Sequence, residues 1–552
     1  MYVVVINTAG NQRYIFSSNK RQEIVGASDL ITRVDGAWAD EALEKAFPGF
    51  KRATWRLDTH DAELVVAGAG GVIVLTKDRE AGRRLVTELT ALALLHAPGL
   101  DVCGVVVEYE PGTLAKKMGG VRKELAAVRE SRPGPQARFL RLPPVEDCGS
   151  SGLPAEVIRR EGEEQPRPRS AAARAKLDAC PGALDRMAEI AWLDRRKPDR
   201  SVGRRRMREI VDRLGLEASW VGVVHADGNG FGAIFKGLDA VVADGNDRDY
   251  VETLRSVSQA ADECAKKAFR EALRRTARET THETADRPVG GNSAGIPAEG
   301  VPPAVLPLVI GGDDLTVLCE GEVALPFTRH YLEAFEEETA RDARLTPVLG
   351  KLGLKRLGAG AGVAIVKRNY PFHFAYDLAE ELIDTEAKRV KEWGSALAFA
   401  VLLESSAPDL KRIRQAGGAG GSASPYLVGA GSADDRASGR RWEDLERRVG
   451  ALNRRDPESG ELLIPRGVAH DLREGLHLGA EVATSRLELL RRRFEGDRER
   501  TEVLLKLLEK EGGSLWLDDL DGRKGAVTGL PDAMMALQFL TAGSEKAGSE
   551  RE

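Results

Sequence analysis

Nowhere does the sequence run apolar for the roughly 18 to 20 residues that a membrane-spanning helix needs. Its opening, MYVVVINTAGNQ, has only a short apolar run with no basic leader before it. No membrane partner is expected, and the cytoplasm is the expected location. Cysteine is sparse: Cys103, Cys148, Cys180, Cys264 and Cys319 lie far apart and never form CxxC, which argues against a disulfide framework and a four-cysteine zinc site. Aromatic residues make up 5% of the chain, too few for a long groove that stacks the bases of a single strand. The formal net charge is only −5 over 552 residues, so no global basic field exists and any nucleic-acid contact must be local. That length allows roughly two to four domains with real cores.

Three stretches rich in Gly, Pro, Ser and Ala divide the chain: REGEEQPRPRSAAARA near 160–175, RPVGGNSAGIPAEGVPP at 287–303, and GGAGGSASPYLVGAGSADDRASG at 417–439. They lack apolar periodicity and read as linkers or mobile loops.

Between them lies a weak internal repeat. YVVVIN predicts a strand, QEIVGASDLITRVDGAWADEALEKAF a helix, ELVVAGAGGVIVLTK a hairpin, DREAGRRLVTELTALALLHA a helix and DVCGVVVEY a strand. The order β-α-β-β-α-β is the ferredoxin-like arrangement. After residue 215 it returns: SWVGVVHADGNGFG, a long helix from DYVETLRSVSQ, the hairpin LPLVIGGDDLTVLCE, the helix PFTRHYLEAFEEETARDAR and the strand GAGVAIVKR. The fold class expected is α+β, with two ferredoxin-like units in tandem.

The two copies differ where chemistry would occur. In the second, Asp227 ends the first strand and Asp313 and Asp314 sit at the hairpin, and this topology makes those strands neighbours. In the first, the matching places hold Asn7 and the carboxylate-free AGAGG. Buried carboxylates are expensive without partners, and hard divalent cations favour a few carboxylates plus substrate phosphates. The bland alternative is a hairpin turn, which GGDD and DGNG often are. Gly311 and Gly312 would let the turn adopt positive φ and bring phosphates close to backbone N–H groups.

VHADGNGFG, LPLVIGGDDLTVL and GAGVAIVKRNYPFHFAYDLAEELIDTEAKRVK together resemble the second palm domain of the CRISPR polymerase, the large subunit of type III effector complexes, closest to its Cmr-type branch. YIFSSNKRQEIVGASDLIT is similar to the opening of that family's first, inactive palm, and EDCGSSGLPAE to the connector. The resemblance implies tandem palm domains, at 1–147 and 216–405, with a mostly helical connector at 148–215 and a flexible insertion at about 280–303. A flexible linker at 406–440 and a C-terminal helical domain at 441–552 follow.

The activity it implies is the joining of ATP into cyclic oligoadenylates, second messengers of antiviral defence, with Mg²⁺ or Mn²⁺ in a two-metal site. Asp227, Asp313 and Asp314 are the implied metal-binding and catalytic residues, and Gly228, Gly311 and Gly312 shape the phosphate approach. Ser256 and Ser258 match the family's serines near base and ribose, Lys388 matches a helix lysine at the triphosphate, and Lys367 is a further phosphate candidate. The implied partners are ATP and, through other effector subunits, guide and target RNA.

Departures from the family also count. With the first palm starting at residue 2, and His60-Asp61 and His470-Asp471 lacking further ligands, no HD nuclease is expected. The connector lacks paired cysteines, so no structural zinc is expected. The alternatives are a diguanylate-type dinucleotide cyclase, although GGDDLT departs from GGDEF, and a non-catalytic RNA-binding scaffold. The basic run at 194–210 reads as a solvated helix face.

Overall fold

The computed structural model describes all residues except 161–164, 193–198, 233, 235–237, 239–245, 286–302, 404–408, 416–420, 434–436, 510–513, 518–526 and 541–552. Most of the insertion expected at 280–303, and parts of the linker expected at 406–440, therefore lie outside the described residues.

The first unit comprises β1 (Tyr2–Ala9), α1 (Arg21–Asp35), α2 (Ala37–Ala46), β2 (Ala62–Gly68), β3 (Gly71–Thr76), α3 (Arg79–His96) and β4 (Asp101–Glu108). What reads in sequence as one helix over 22–47 is two, because the chain turns at Gly36, where a Cβ would lie 2.9 Å from the Thr32 carbonyl oxygen. The strands order as β2-β3-β1-β4, all antiparallel. Even-numbered Val4 and Ile6 face α1 and α3, while Val3 faces α4 (Leu114–Glu130) through Val121 and Leu125. Such alternation is the period-2 signature of a sheet covered on both faces.

Two connector helices follow, α5 (Ala171–Ala191) and α6 (Arg200–Asp212). α5 crosses α1 so closely that a Cβ at Gly26 would lie 1.7 Å from the Lys176 carbonyl oxygen. The stretch near 160–175 is not wholly a linker, since Arg167–Arg169 pairs with Val157–Arg159 before α5 begins. The basic run is largely engaged: Arg204 pairs with Asp185 and Arg206 lies over the Trp192 ring.

The second unit repeats the first. It comprises β5 (Trp220–Gly228), α7 (Asp247–Ala285), β6 (Val305–Gly311), β7 (Asp314–Glu320), α8 (Gly321–Arg341) and β8 (Ala359–Lys367). Its strand order, β8-β5-β7-β6, is that of the first unit, β4-β1-β3-β2. The resemblance extends to irregularities: β2 carries a register shift between Leu64 and Val66, and β6 carries one between Pro307 and Val309. Each lies two residues before the glycine that closes the hairpin. α9 (Phe372–Thr385) then crosses to β9 (Ser395–Val401), parallel to β8.

α10 (Leu410–Gln415), β10 (Gly421–Ser422) and β11 (Tyr426–Val428) follow, and β11 pairs with β9 as the sixth strand of the sheet. The linker expected at 406–440 is thus partly palm. Tyr426, Leu427 and Val428 are buried, and an apolar run of that length finds burial at an open sheet edge. The C-terminal helices are α11 (Trp442–Asn453), α12 (Arg466–Leu478), α13 (Ala480–Phe494) and α14 (Arg498–Lys506). The end of the described chain, β12 (Val527–Thr528) and α15 (Leu530–Ala536), does not stay with them alone. β12 pairs with β10, and Phe539 packs edge-on against Trp220 at 5.5 Å.

The two units are clamped together at Glu63 of β2. Its carboxylate is fully buried and receives a bidentate pair from Arg248 of α7, both bonds 2.8 Å, a third bond from Arg255 at 2.5 Å, and the Leu57 amide at 2.9 Å. Asp247, at the start of α7, accepts the amides of Gly112 and Leu114 at the head of α4. Among the described residues no helix is long and apolar enough to cross a membrane.

Candidate active site

In the register of β5 against β7, Asp227 stands directly opposite Asp314, and the Gly228 amide donates to the Asp313 carbonyl oxygen at 3.1 Å. All three residues therefore lie at one end of the sheet. Gly228 is required by space: a Cβ there would lie 2.7 Å from both Asp313 and Phe231. Gly312 has φ +64°, the left-handed region the tight turn needs, and a Cβ on Gly311 would come within 3.8 Å of Ala69 in the first unit's hairpin. The two hairpin tips face each other.

The first unit supplies a comparison within the same chain. Asn7 pairs with Gly71 as Asp227 pairs with Asp314, so Asn7, Gly70 and Gly71 occupy the places of Asp227, Asp313 and Asp314. Its turn is closed by other means, with Asp35 of α1 accepting the Gly70 amide at 2.6 Å.

Electrostatics separates the three acids. Lys388 Nζ lies 2.6 Å from Asp227 and 3.0 Å from Asp384. Burial works against the Lys388 charge, but the bonds to Asp227 and Asp384 raise its pKa overall. Among the described residues, Asp313 and Asp314 have no ion-pair partner. Burial, then the charges of Asp314 and Asp227, push Asp313 up to about 7; burial, then Asp227, pushes Asp314 up to about 6, with Lys388 opposing.

Three hard oxygen donors of which only Asp227 has a cationic partner among the described residues fit a divalent cation. No set of three or more His, Cys, Asp or Glu side chains among the described residues converges as a ready-made metal cage, so ion and substrate would complete the site together.

Asp313 and Asp314 line a cavity of about 1580 Å³ that wraps around both hairpin tips, and Asp227 stands behind them beside Lys388. Along α7 it is lined by Tyr250, Leu254, Ser258, Asp262, Lys266 and Arg270, one residue per turn. Ser258 belongs to this stripe. Ser256 does not, because two positions along a helix turn a side chain about 200° away. Arg52, Arg56 and Arg186 add cationic groups from the first unit and the connector.

Lys367 is not brought to the site. It pairs in register with Trp220, at the opposite end of β5 from Asp227, and its ammonium lies over the Trp220 ring at 3.6 Å. Position in sequence just after the last strand of the repeat misled, because an antiparallel strand delivers its C-terminal residue to the far edge. We expect Lys367→Ala to leave turnover within about twofold and to cost about 0.5–1 kcal/mol of stability, checked by steady-state kinetics and melting.

His60 stacks on Trp55. All five cysteines are buried and free, and Cys148 is tied to the Ser150 hydroxyl at 3.2 Å. Sequence reasoning missed Asp384, although its i,i+4 spacing from Lys388 was a legible signal. It also missed the first unit's cavity-lining arginines, for which only the fold supplies a signal.

Fold and site together define a tandem palm protein with one acidic and one vestigial hairpin. Residues 220–395 match the family model described as Cas10/Cmr2, second palm domain. Solved structures show the same fold along nearly the whole chain. A Csm1-Csm4 cassette in complex with AMPPNP matches at 13% identity and TM-score 0.51, covering 98% of this chain and 69% of that one. The cassette in complex with pppApA matches at 13% and 0.51, covering 98% and 68%, and that with one ATP at 13% and 0.50, covering 98% and 70%. Against the chain of the apo cassette the coverage is 54% of its length. The family model carries the Cmr2 name and the solved neighbours are of Csm type, so the two do not single out the Cmr branch. No curated protein matches.

Proposed function

We propose that the second palm, completed by the first, is a metal-dependent nucleotidyltransferase that joins ATP 3′ to 5′ into cyclic oligoadenylates, as in type III CRISPR defence. The observation that carries this reading is the register pairing of Asp227 with Asp314, which together with Asp313 lines a cavity larger than the roughly 300–1,000 Å³ of a pocket for one small ligand. A reaction between two nucleotides needs such room. The solved cassettes with AMPPNP, pppApA and ATP are consistent with adenine nucleotides as the ligand class.

Mg²⁺ or Mn²⁺ held by Asp227, Asp313 and Asp314 would polarise the α-phosphate and make the 3′-hydroxyl a better nucleophile. The chain's own groups do the rest. Lys388, already charged beside Asp227, would meet the triphosphate and offset charge that develops on the leaving group. The Gly311-Gly312 turn lets a phosphate approach the backbone, and the stripe of α7 holds nucleosides along the cavity. One P–O bond forms from the 3′-oxygen, the bond to the β-phosphate bridging oxygen breaks, pyrophosphate leaves with the electron pair, and the hydroxyl proton passes to solvent.

Because the opposing wall comes from the first palm of the same chain, no second copy is needed to bring two nucleotides together. This favours the tandem reading over a diguanylate-type cyclase built from two separate palms. Guide RNA, target RNA and other type III subunits belong to this proposal as partners. The test is incubation of the protein with labelled ATP or GTP and Mg²⁺ or Mn²⁺, with and without guide and target RNA. Conversion of ATP into 3′–5′-linked cyclic oligomers supports the reading; conversion of GTP alone, or of neither nucleotide under any condition, rejects it.

A further inference from the structure

Lys388 does not stand on a regular element. It lies in the 3-10 turn Ala387–Val390 after α9, and that turn is held from two sides. On one side Ala387 packs against Gly360, whose missing Cβ makes room for it and which is the register partner of Asp227 on β8. On the other, Glu386 is buried at the head of the turn and gripped by Arg414 of α10 through two bonds of 2.7 Å.

Glu386 has a third partner with a longer reach. The Ser424 hydroxyl donates to it at 2.5 Å, and the Ser424 amide donates to the Ser422 hydroxyl at 3.0 Å. The Ser422 hydroxyl in turn donates to Asp532 of α15 at 2.7 Å. Asp532 is wholly buried and also accepts the Ala423 amide and the Tyr426 hydroxyl, each at 2.8 Å. The Ser422 hydroxyl has one proton, and spending it on Asp532 leaves its lone pair for the Ser424 amide. Ser424 thus donates both ways, its hydroxyl to Glu386 and its amide to Ser422, and the path from Asp532 to Glu386 is continuous through these bonds and the Ser424 backbone.

We propose that Asp532, Ser422, Ser424 and Glu386 form a positioning relay for Lys388, through which the docked C-terminal segment 527–540 sets the competence of the palm site. The inference rests on the reading that Lys388 serves the nucleotide. None of the four touches the reacting atoms; they fix where the Lys388 ammonium sits, and a displacement of about 1 Å at such a group costs up to about 10²-fold in rate. β12 pairs with β10 in a two-stranded sheet of their own and α15 follows directly, so undocking that segment removes Asp532 and loosens the turn.

The test is a double-mutant cycle between Ser424→Ala and Lys388→Met. It is read as affinity for AMPPNP with Mn²⁺ by calorimetry and as kcat/KM for ATP. In the otherwise native protein, Ser424→Ala is expected to weaken AMPPNP binding about 3–5-fold and to lower kcat/KM about tenfold. In the Lys388→Met background it changes neither, and Ser424→Thr, which keeps the hydroxyl, restores both. Equal effects of Ser424→Ala in the two backgrounds, or no effect in either, overturn the relay. If Ser424→Ala lowers the melting temperature by more than about 5 °C, Ser422→Ala replaces it in the same cycle. Absence of turnover in the native protein counts against the cyclase reading alone, because the binding cycle still decides the relay.

Discussion

Replacing Asp313 and Asp314 by alanine is expected to lower nucleotide conversion by at least about 10³-fold while leaving the fold intact. Removing the ligands of a Lewis acid forfeits several kcal/mol of transition-state stabilisation, and each 1.36 kcal/mol is a factor of ten. The same change should stabilise the metal-free protein. Burial, followed by neighbouring carboxylates, raises the folded pKa of Asp313 to about 7 and of Asp314 to about 6. A carboxyl with a raised folded pKa favours the folded state fully below its unfolded pKa, near 4, and that contribution is lost as pH rises through 6 to 7. The metal-free native protein should therefore melt lower at pH 8 than at pH 5. Asp313→Asn should recover a few degrees at pH 8 and almost nothing near pH 4. Melting scans in chelator across that range, alongside turnover at saturating ATP, check both halves. A variant that loses activity and also melts lower at pH 8 would show that the acids are structural.

The second large effect lies outside the site. Glu63→Ala strands Arg248 and Arg255 at the junction of the two palms, and we expect a loss of about 2–4 kcal/mol, the upper range belonging to buried ion pairs that lose one partner. Burial alone would raise the Glu63 pKa, but bonds from Arg248, Arg255 and the Leu57 amide outweigh it and hold it at about 2. A depressed carboxylate contributes stability above its unfolded pKa, near 4.5, and loses it as pH falls toward 2. The difference between native and Glu63→Gln proteins, measured by denaturant titration, should be full at pH 6 and shrink steadily below pH 4. Since the clamp also fixes the first palm over the cavity, Glu63→Gln should raise KM for ATP more than it lowers kcat.

Much of this architecture could be read from residues alone, for identifiable reasons. β-Branched runs around glycine turns announced both hairpins, and the return of the same element order after residue 215 announced the repeat. The comparison of Asn7 with Asp227 and of AGAGG with GGDD held in three dimensions, because strand register carries sequence position directly to spatial position. Ser256 and Lys367 fell away for geometric reasons: a helix turns the first from the cavity, and an antiparallel strand carries the second to the far end of the sheet. The sixth strand, β11, was hidden in a Gly- and Ser-rich stretch whose composition reads as a linker. Nothing local marks Asp532 as a neighbour of Glu386, since 146 residues separate them and their link passes through two serine hydroxyls.

The reaction proposed for Asp227, Asp313 and Asp314 is nucleotidyl transfer from one nucleotide to the 3′-oxygen of another. The most direct measurement is pyrophosphate release from ATP and from 3′-deoxy-ATP, with Mn²⁺ and any RNA activator present. With ATP the expected result is one pyrophosphate for each phosphodiester bond formed before ring closure or at it, and with 3′-deoxy-ATP as sole substrate, none. Release of inorganic phosphate in place of pyrophosphate, or undiminished pyrophosphate from the nucleotide that lacks the attacking hydroxyl, would contradict it.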